Sequence, residues 1–263
     1  MRIRFAAAPA MLAASVILLA AGQQATAAET FTAEYRMSYL GFVVAKSQFT
    51  SRISEAGFEL EGSIASAGLG VMFDSTHGRT VVSGQFAKGD TRPDSYSVSY
   101  TYGKKAKSTT LSFKKGNVAS YQNDPPVVPK GNDWVTVSEA ELRGVTDPIS
   151  AALVRAPSLS KVCSRTMHIF DGELRADIVL SPSQQKAEVP GFDRKATVAC
   201  KARFVPVAGY QSGNGSMSYL RNKSRMQITF AALGTTGVYA PIHASVGTKY
   251  GPVTIQAKRL SPQ

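Results

Sequence analysis

The sequence predicts an all-β protein built as an antiparallel curved sheet, half-barrel or spiral, with one or two short helices. Three observations carry that expectation. Apolar and aromatic residues recur every second position through most of the chain. Gly, Asn and Asp turn signals separate these rows at short intervals. Helical periodicity is nearly absent, well below the usual share of about one-third. Strands so spaced build barrels, half-barrels or strongly curved sheets.

The first row places Phe31, Ala33, Tyr35, Met37 and Tyr39 on one face, with Thr32, Glu34, Arg36 and Ser38 on the other. Gly41 punctuates it, and alternation resumes through Val43, Ala45, Phe49 and Ile53. Phe58, Leu60, Gly62 and Ile64 follow in phase after Gly57. Further strands are expected over 78–86, 94–102, 108–113 and 118–121, with Tyr96, Val98, Tyr100 and Tyr102 forming a second aromatic row. A Pro-rich connection near 124–131 then interrupts the pattern, because Pro125, Pro126 and Pro129 each lack a ladder donor. It reads as a surface link between two halves of one domain spanning 29–263.

A short helix is expected near 147–155, where Asp147 suits the N-cap and Pro148 the first helical position. Strands resume at 165–170 and 174–180, with Asp171-Gly172 as a hairpin signal between them. Rows at 195–207, 226–230, 238–246 and 252–260 complete the chain, and 209–215 reads as a polar loop.

Residues 1–28 have the grammar of a secretory signal peptide. Arg2 and Arg4 precede an apolar run from Phe5 to Ala21, and Ala25-Thr26-Ala27 is a small-x-small signal for a cut after Ala27 or Ala28. The run is Ala-rich and falls short of the roughly 20 strongly apolar residues of a membrane span. No Cys follows it, so no lipid anchor is expected at the cut. The expected location is the periplasm, with no transmembrane span after cleavage.

Composition agrees with a folded domain: 43% of residues are apolar and 9% aromatic. Removing Arg2 and Arg4 from the +12 total leaves a charge of +10. That balance suits anionic partners, or simply solubility. Nucleic acid is excluded as a partner for an exported chain. Cys163 and Cys200 are the two cysteines. An even pair in an oxidising compartment reads as a structural disulfide. Only His168 lies near them, too few ligands for a closed zinc site, and the spacing is not that of a redox pair.

No chemistry-bearing motif stands out, and no cofactor or metal is expected. His77, His168 and His243 lie in or beside strand rows, without a nucleophile elbow or a zinc-protease helix. Asp74-Ser75-Thr76-His77 reads as a polar turn. Asp171 with Glu173 is explained by turn chemistry, and Glu139 with Glu141 by the helix that follows. The aromatic rows hold more promise. Tyr35, Tyr39, Phe49, Tyr96 and Tyr100 either fill the core or line a concave face that binds a lipid tail or an apolar partner segment.

Several short segments, taken together, resemble a known family. They are Tyr35-Arg36-Met37-Ser38-Tyr39-Leu40-Gly41-Phe42, Asp147-Pro148-Ile149-Ser150, Ile169-Phe170-Asp171-Gly172, Cys200 with Val205-Pro206-Val207-Ala208-Gly209-Tyr210, and Tyr239-Ala240-Pro241-Ile242. In this order they resemble domain of unknown function family 3108, exported proteins of Gram-negative bacteria, mostly alphaproteobacteria. The resemblance implies a barrel-like or spiral antiparallel sheet in the periplasm, with a more distant likeness to disulfide-bearing envelope-integrity spiral proteins. It implies no catalytic residue. The expected function is therefore that of a non-catalytic envelope protein binding a lipid-like ligand or an envelope protein partner. An envelope hydrolase or transferase using His77 or His243, and a basic protein docking on an acidic assembly, are the alternatives. The oligomeric state is left open.

Overall fold

Period-two rows become long strands that pair with their sequence neighbours. In the computed structural model, which describes residues 28–263 except 74, 88, 130, 186 and 187 and the side chain of Phe73, the first half is a meander. It comprises β1 (Glu29–Tyr39), β2 (Phe42–Ile53), β3 (Gly57–Ser66), β4 (Thr76–Ala87), β5 (Asp90–Tyr102), β6 (Lys105–Lys114) and β7 (Asn117–Asp124). Each is antiparallel to the next. A single helical turn, α1 (Gly70–Phe73), lies between β3 and β4. The expected leader and its first possible cut, after Ala27, lie outside the described residues; Ala28 is the first residue described.

The second half holds β8 (Trp134–Val135), α2 (Pro148–Ala152), β9 (Val154–Arg155), β10 (Arg165–Phe170), β11 (Arg175–Pro182), β12 (Thr197–Ala208), β13 (Tyr210–Gln211), α3 (Gly215–Asn222), β14 (Met226–Ala232), β15 (Val238–Thr248) and β16 (Gly251–Pro262). β16 returns beside β1, from Phe31↔Pro262 to Tyr39↔Val253, and fuses both halves into one sheet. Its order is β10-β11-β12-β14-β15-β16-β1-β2-β3-β4-β5-β6-β7, with β9 on β15 and a separate β8–β13 ribbon.

The sheet curls but does not close. Register shifts at Glu34/Tyr35, Met37/Ser38, Ser83/Gly84, Ser112/Phe113, Arg175/Ala176 and Thr229/Phe230 bend the strands, as bulges do. Curvature is visible in the bond from the Tyr35 hydroxyl to the Pro241 carbonyl, 2.8 Å, which spans from β1 past β16 to β15. The free edges are β7 and β10. Residues 143–146 lie between them, bridging Asn117 through Arg143 and Ile169 through Thr146. Asn123 Nδ2 donates to the Gly172 carbonyl at 2.8 Å, and the Tyr121 and Phe170 rings meet edge to face, adding side-chain links across the gap.

α2 lies within the curve. Asp147 caps it, its Oδ1 accepting from the Ile149 and Ser150 amides at 2.9 Å each. Ile149 and Leu153 pack into the main core with Phe31, Ile53, Leu60 and Phe170. The expected helix at 147–155 is thus present but shorter, because β9 begins at Val154. α1 and α3 exceed the one or two helices expected. α3 is capped by Asn214 Oδ1, a signal masked by the surrounding Gly and Ser of 212–216.

The Asp171-Gly172 turn also differs. It is a four-residue connection, not a two-residue one, because Asp171 Oδ1 accepts from the Glu173 and Leu174 amides and holds both out of the ladder. Beneath it, Gly209 adopts φ +78°, and a Cβ there would lie 1.7 Å from the Glu173 carbonyl oxygen. Only glycine fits this close crossing. Cys163 and Cys200 lie at disulfide distance, S–S 2.08 Å, both buried among Val162, Leu180 and Phe230.

Candidate functional site

Inward-facing rows of β1 to β5, together with β15 and β16, surround an apolar cavity of about 510 Å³. Its size falls in the range of small-molecule sites. Tyr35, Met37, Phe49, Tyr96 and Tyr100 supply aromatic and thioether walls, and Ile149 of α2 and Leu153 just after it form its floor. Small residues in the same rows leave the space open: Ala33, Ala45, Gly62 and Gly78. A Cβ at Gly62 would collide with the Phe49 ring, and one at Gly78 with Ile64 and Tyr100. Tyr35 and Phe49 meet edge to face with centroids 5.8 Å apart.

Four of the five aromatic residues singled out from sequence therefore line one space. Tyr39 does not. Its hydroxyl donates to the Tyr250 carbonyl at 2.7 Å, at the turn between β15 and β16. The row continues in phase, but Tyr39 is the last residue of β1 and pairs with Phe42 at the β1–β2 turn, past the extra residue Val44 of β2 and outside the cavity lining. The inward residues that sequence reasoning missed as site residues are the small ones. Their signal was an Ala or Gly in phase with large apolar neighbours.

Electrostatics inside the curve are muted. Burial pushes the Tyr35 phenol well above its ordinary value. Burial does the same to Tyr96, reinforced by Asp147, Asp171 and Tyr100. Asp147 itself is fully buried, and burial raises its carboxyl to about 6 against the pull of the capping amides. Its Oδ2 has no hydrogen-bond partner among the described residues.

The histidines do not assemble with one another. His168 Nδ1 is 2.7 Å from Asp177 Oδ1, but Arg175 pairs with the same carboxylate and lies 3.3 Å from the same ring nitrogen. Burial pushes the Asp177 carboxyl up, and the hydrogen bonds from His168 and Arg175 outweigh it, holding it below the ordinary range. His243 is opposite Thr229, and burial lowers its pKa; its Nδ1 is buried without a partner among the described residues. The His77 ring makes no hydrogen bond among the described residues. Among the described residues, neither the His77 nor the His243 ring hydrogen-bonds an acid or a nucleophile, as a hydrolase would need. Among the described residues, no cluster of His, Cys, Asp and Glu fits a metal ion. No helix there is long and apolar enough to cross a membrane.

The chain is similar to a β-barrel-like protein of domain of unknown function 1849 from Brucella abortus, at 7% identity and TM-score 0.46, covering 90% of this chain and 99% of that one. It is also similar to the hypothetical protein CT021 from Chlamydia trachomatis, at 11% identity and TM-score 0.29, covering 87% and 86%. No curated protein matches the sequence. The profile of a family described as protein of unknown function, DUF3108, matches residues 34–258, nearly the whole described chain, and the protein belongs to that family.

Proposed function

We propose that this protein is a non-catalytic, exported envelope protein that binds a lipid-like ligand in the cavity of its curved sheet and supports envelope integrity. The observation that carries the reading is the cavity: about 510 Å³, walled by carbon, floored by a helix, and held open by small inward residues. A site of that composition favours an acyl chain over a sugar or nucleotide, whose polar groups would lose hydrogen bonds on entry. The leader grammar and the buried cysteine pair support export to an oxidising compartment.

The test is native mass spectrometry of protein purified from the periplasm, with displacement of a fluorescent fatty acid as the quantitative assay. Wild type should carry or take up the acyl probe, and Ala45→Phe, which fills the space, should not, at unchanged melting temperature. Equal uptake by wild type and Ala45→Phe would remove the cavity as the binding site. The intact mass of the same sample should begin at residue 28 or 29.

A further inference from the structure

One rim of the curved sheet has a composition unlike the other. Among the described residues, most exposed large apolar side chains sit there: Leu40 and Phe42 at the β1–β2 turn, Leu69, Val71 and Met72 around α1, and Tyr250 at the β15–β16 turn. Met72 is 80% exposed and Tyr250 67%. These tips are neighbours. Ala67 and Leu69 amides donate to Val44 and Val43 of β2, and the Leu40 amide donates to the Pro252 carbonyl. Leu40 holds φ +51°, a conformation that a branched side chain rarely adopts, yet it points an apolar group into solvent there.

Cations flank this patch along the rim. Lys104 and Lys105 follow it on the β5–β6 side, and Lys249, Lys223 and Arg225 precede it, all exposed. Asp74 is the single carboxylate in the sequence of segments 40–41, 67–75, 103–104, 213–225 and 249–250. The same end of the sheet also carries Asp124, Asp133, Asp171 and Glu173, at the end of β7 and on the β7–β8 and β10–β11 connections, beyond these segments in sheet order. The opposite rim places Glu29, Glu55 and Asp90 among its cations. An apolar tip cluster between two cationic flanks matches a lipid surface with anionic headgroups: side chains enter the acyl boundary while lysines meet phosphates.

We infer that this rim docks on an anionic bilayer through Leu40, Phe42, Val71, Met72 and Tyr250, with the flanking lysines and arginine on the headgroups. An apolar protein partner would satisfy the tips but not the paired cationic flanks. The cavity lining reaches Met37, Thr76 and Ile255 close to the same rim, so docking would bring that end of the cavity toward the bilayer. The inference does not require the cavity to be filled.

Co-sedimentation with vesicles tests it, using two parts phosphatidylcholine to one part phosphatidylglycerol against phosphatidylcholine alone. Wild type should bind only the anionic vesicles, and high salt should weaken that binding. Phe42→Asp with Met72→Asp, and separately Lys104→Glu with Lys105→Glu, should each reduce binding about tenfold or more. All these positions are exposed, so melting temperature should hold, and it is measured beside binding. Ala45→Phe should bind vesicles like wild type, which separates this surface from the cavity. No adsorption by folded wild type, or adsorption unchanged in both rim variants, would overturn the inference. So would loss of adsorption in Ala45→Phe, which would move the contact into the cavity. A dimer in analytical ultracentrifugation that Phe42→Asp with Met72→Asp dissolves, without vesicle binding, would assign the patch to a second copy of the chain.

Discussion

Asp147 condenses the tension between local and tertiary structure. Its two amide bonds make it a good helix cap, yet the cap lies inside the curve, where a charge is poorly solvated. With the folded carboxyl near 6 and the unfolded one at 3.8, the folded state keeps its proton to higher pH. Stability therefore falls as pH rises from about 4 to above 6, by roughly 3 kcal/mol in total. Asp147→Asn keeps the capping oxygen and removes the charge. Its stability relative to wild type, from urea titrations at pH 4 and pH 7.5, should increase between the two by that order; an equal difference at both values would show that the carboxyl titrates alike in the folded and unfolded chain. His243 acts in the opposite sense. Its folded pKa is lowered by burial, so the stability it contributes above 6.5 is lost as pH falls through the lower folded value.

At the scale of elements, the disulfide-distance pair ties the stretch after α2 to β12. Closing a loop of 37 residues' separation limits the unfolded chain by about 4 kcal/mol in the chain-entropy view. Cys163→Ala with Cys200→Ala should lower the unfolding free energy by that order, read from denaturant midpoints with and without reductant. A shift in wild type on reduction that is absent from the double variant isolates the cross-link from lost packing. The cysteine pairing was legible in sequence from an even count read with the expected export, as were the long strands, from their rows of alternating Tyr, Phe and Ala. α1 and α3 were not. Each is a few residues held by a turn or a cap, too short for periodicity to register.

For the whole molecule, the unclosed sheet sets a gradient of protection. β1 is paired along both sides, by β16 and β2, whereas β7 and β10 each leave one side to the 143–146 strap and a few side chains. Hydrogen exchange should be slowest in β1, β2 and β16 and fastest in β7 and β10. Equal protection of β7 and β1 would mean that the strap seals the gap as well as a ladder does. The rim asymmetry belongs to this scale too. Leu40, Met72 and Tyr250 are far apart in sequence, and each alone is an ordinary exposed residue. Antiparallel order carries all three turns to one end.

Sequence alone determined what depends on neighbours within a few residues: strand rows from period-two burial and the α2 cap from Asp147-Pro148. It also brought Tyr35, Phe49, Tyr96 and Tyr100 onto inward rows, because alternation assigns a face. Only the tertiary structure decided that those rows enclose a cavity, since that depends on the sheet curling until β1 to β5, β15 and β16 share one space and on α2 entering it. It likewise excluded Tyr39 from that space, buried Asp147, and gathered the apolar tips on one rim. Each of these outcomes rests on contacts between residues tens to hundreds of positions apart, which no local pattern encodes.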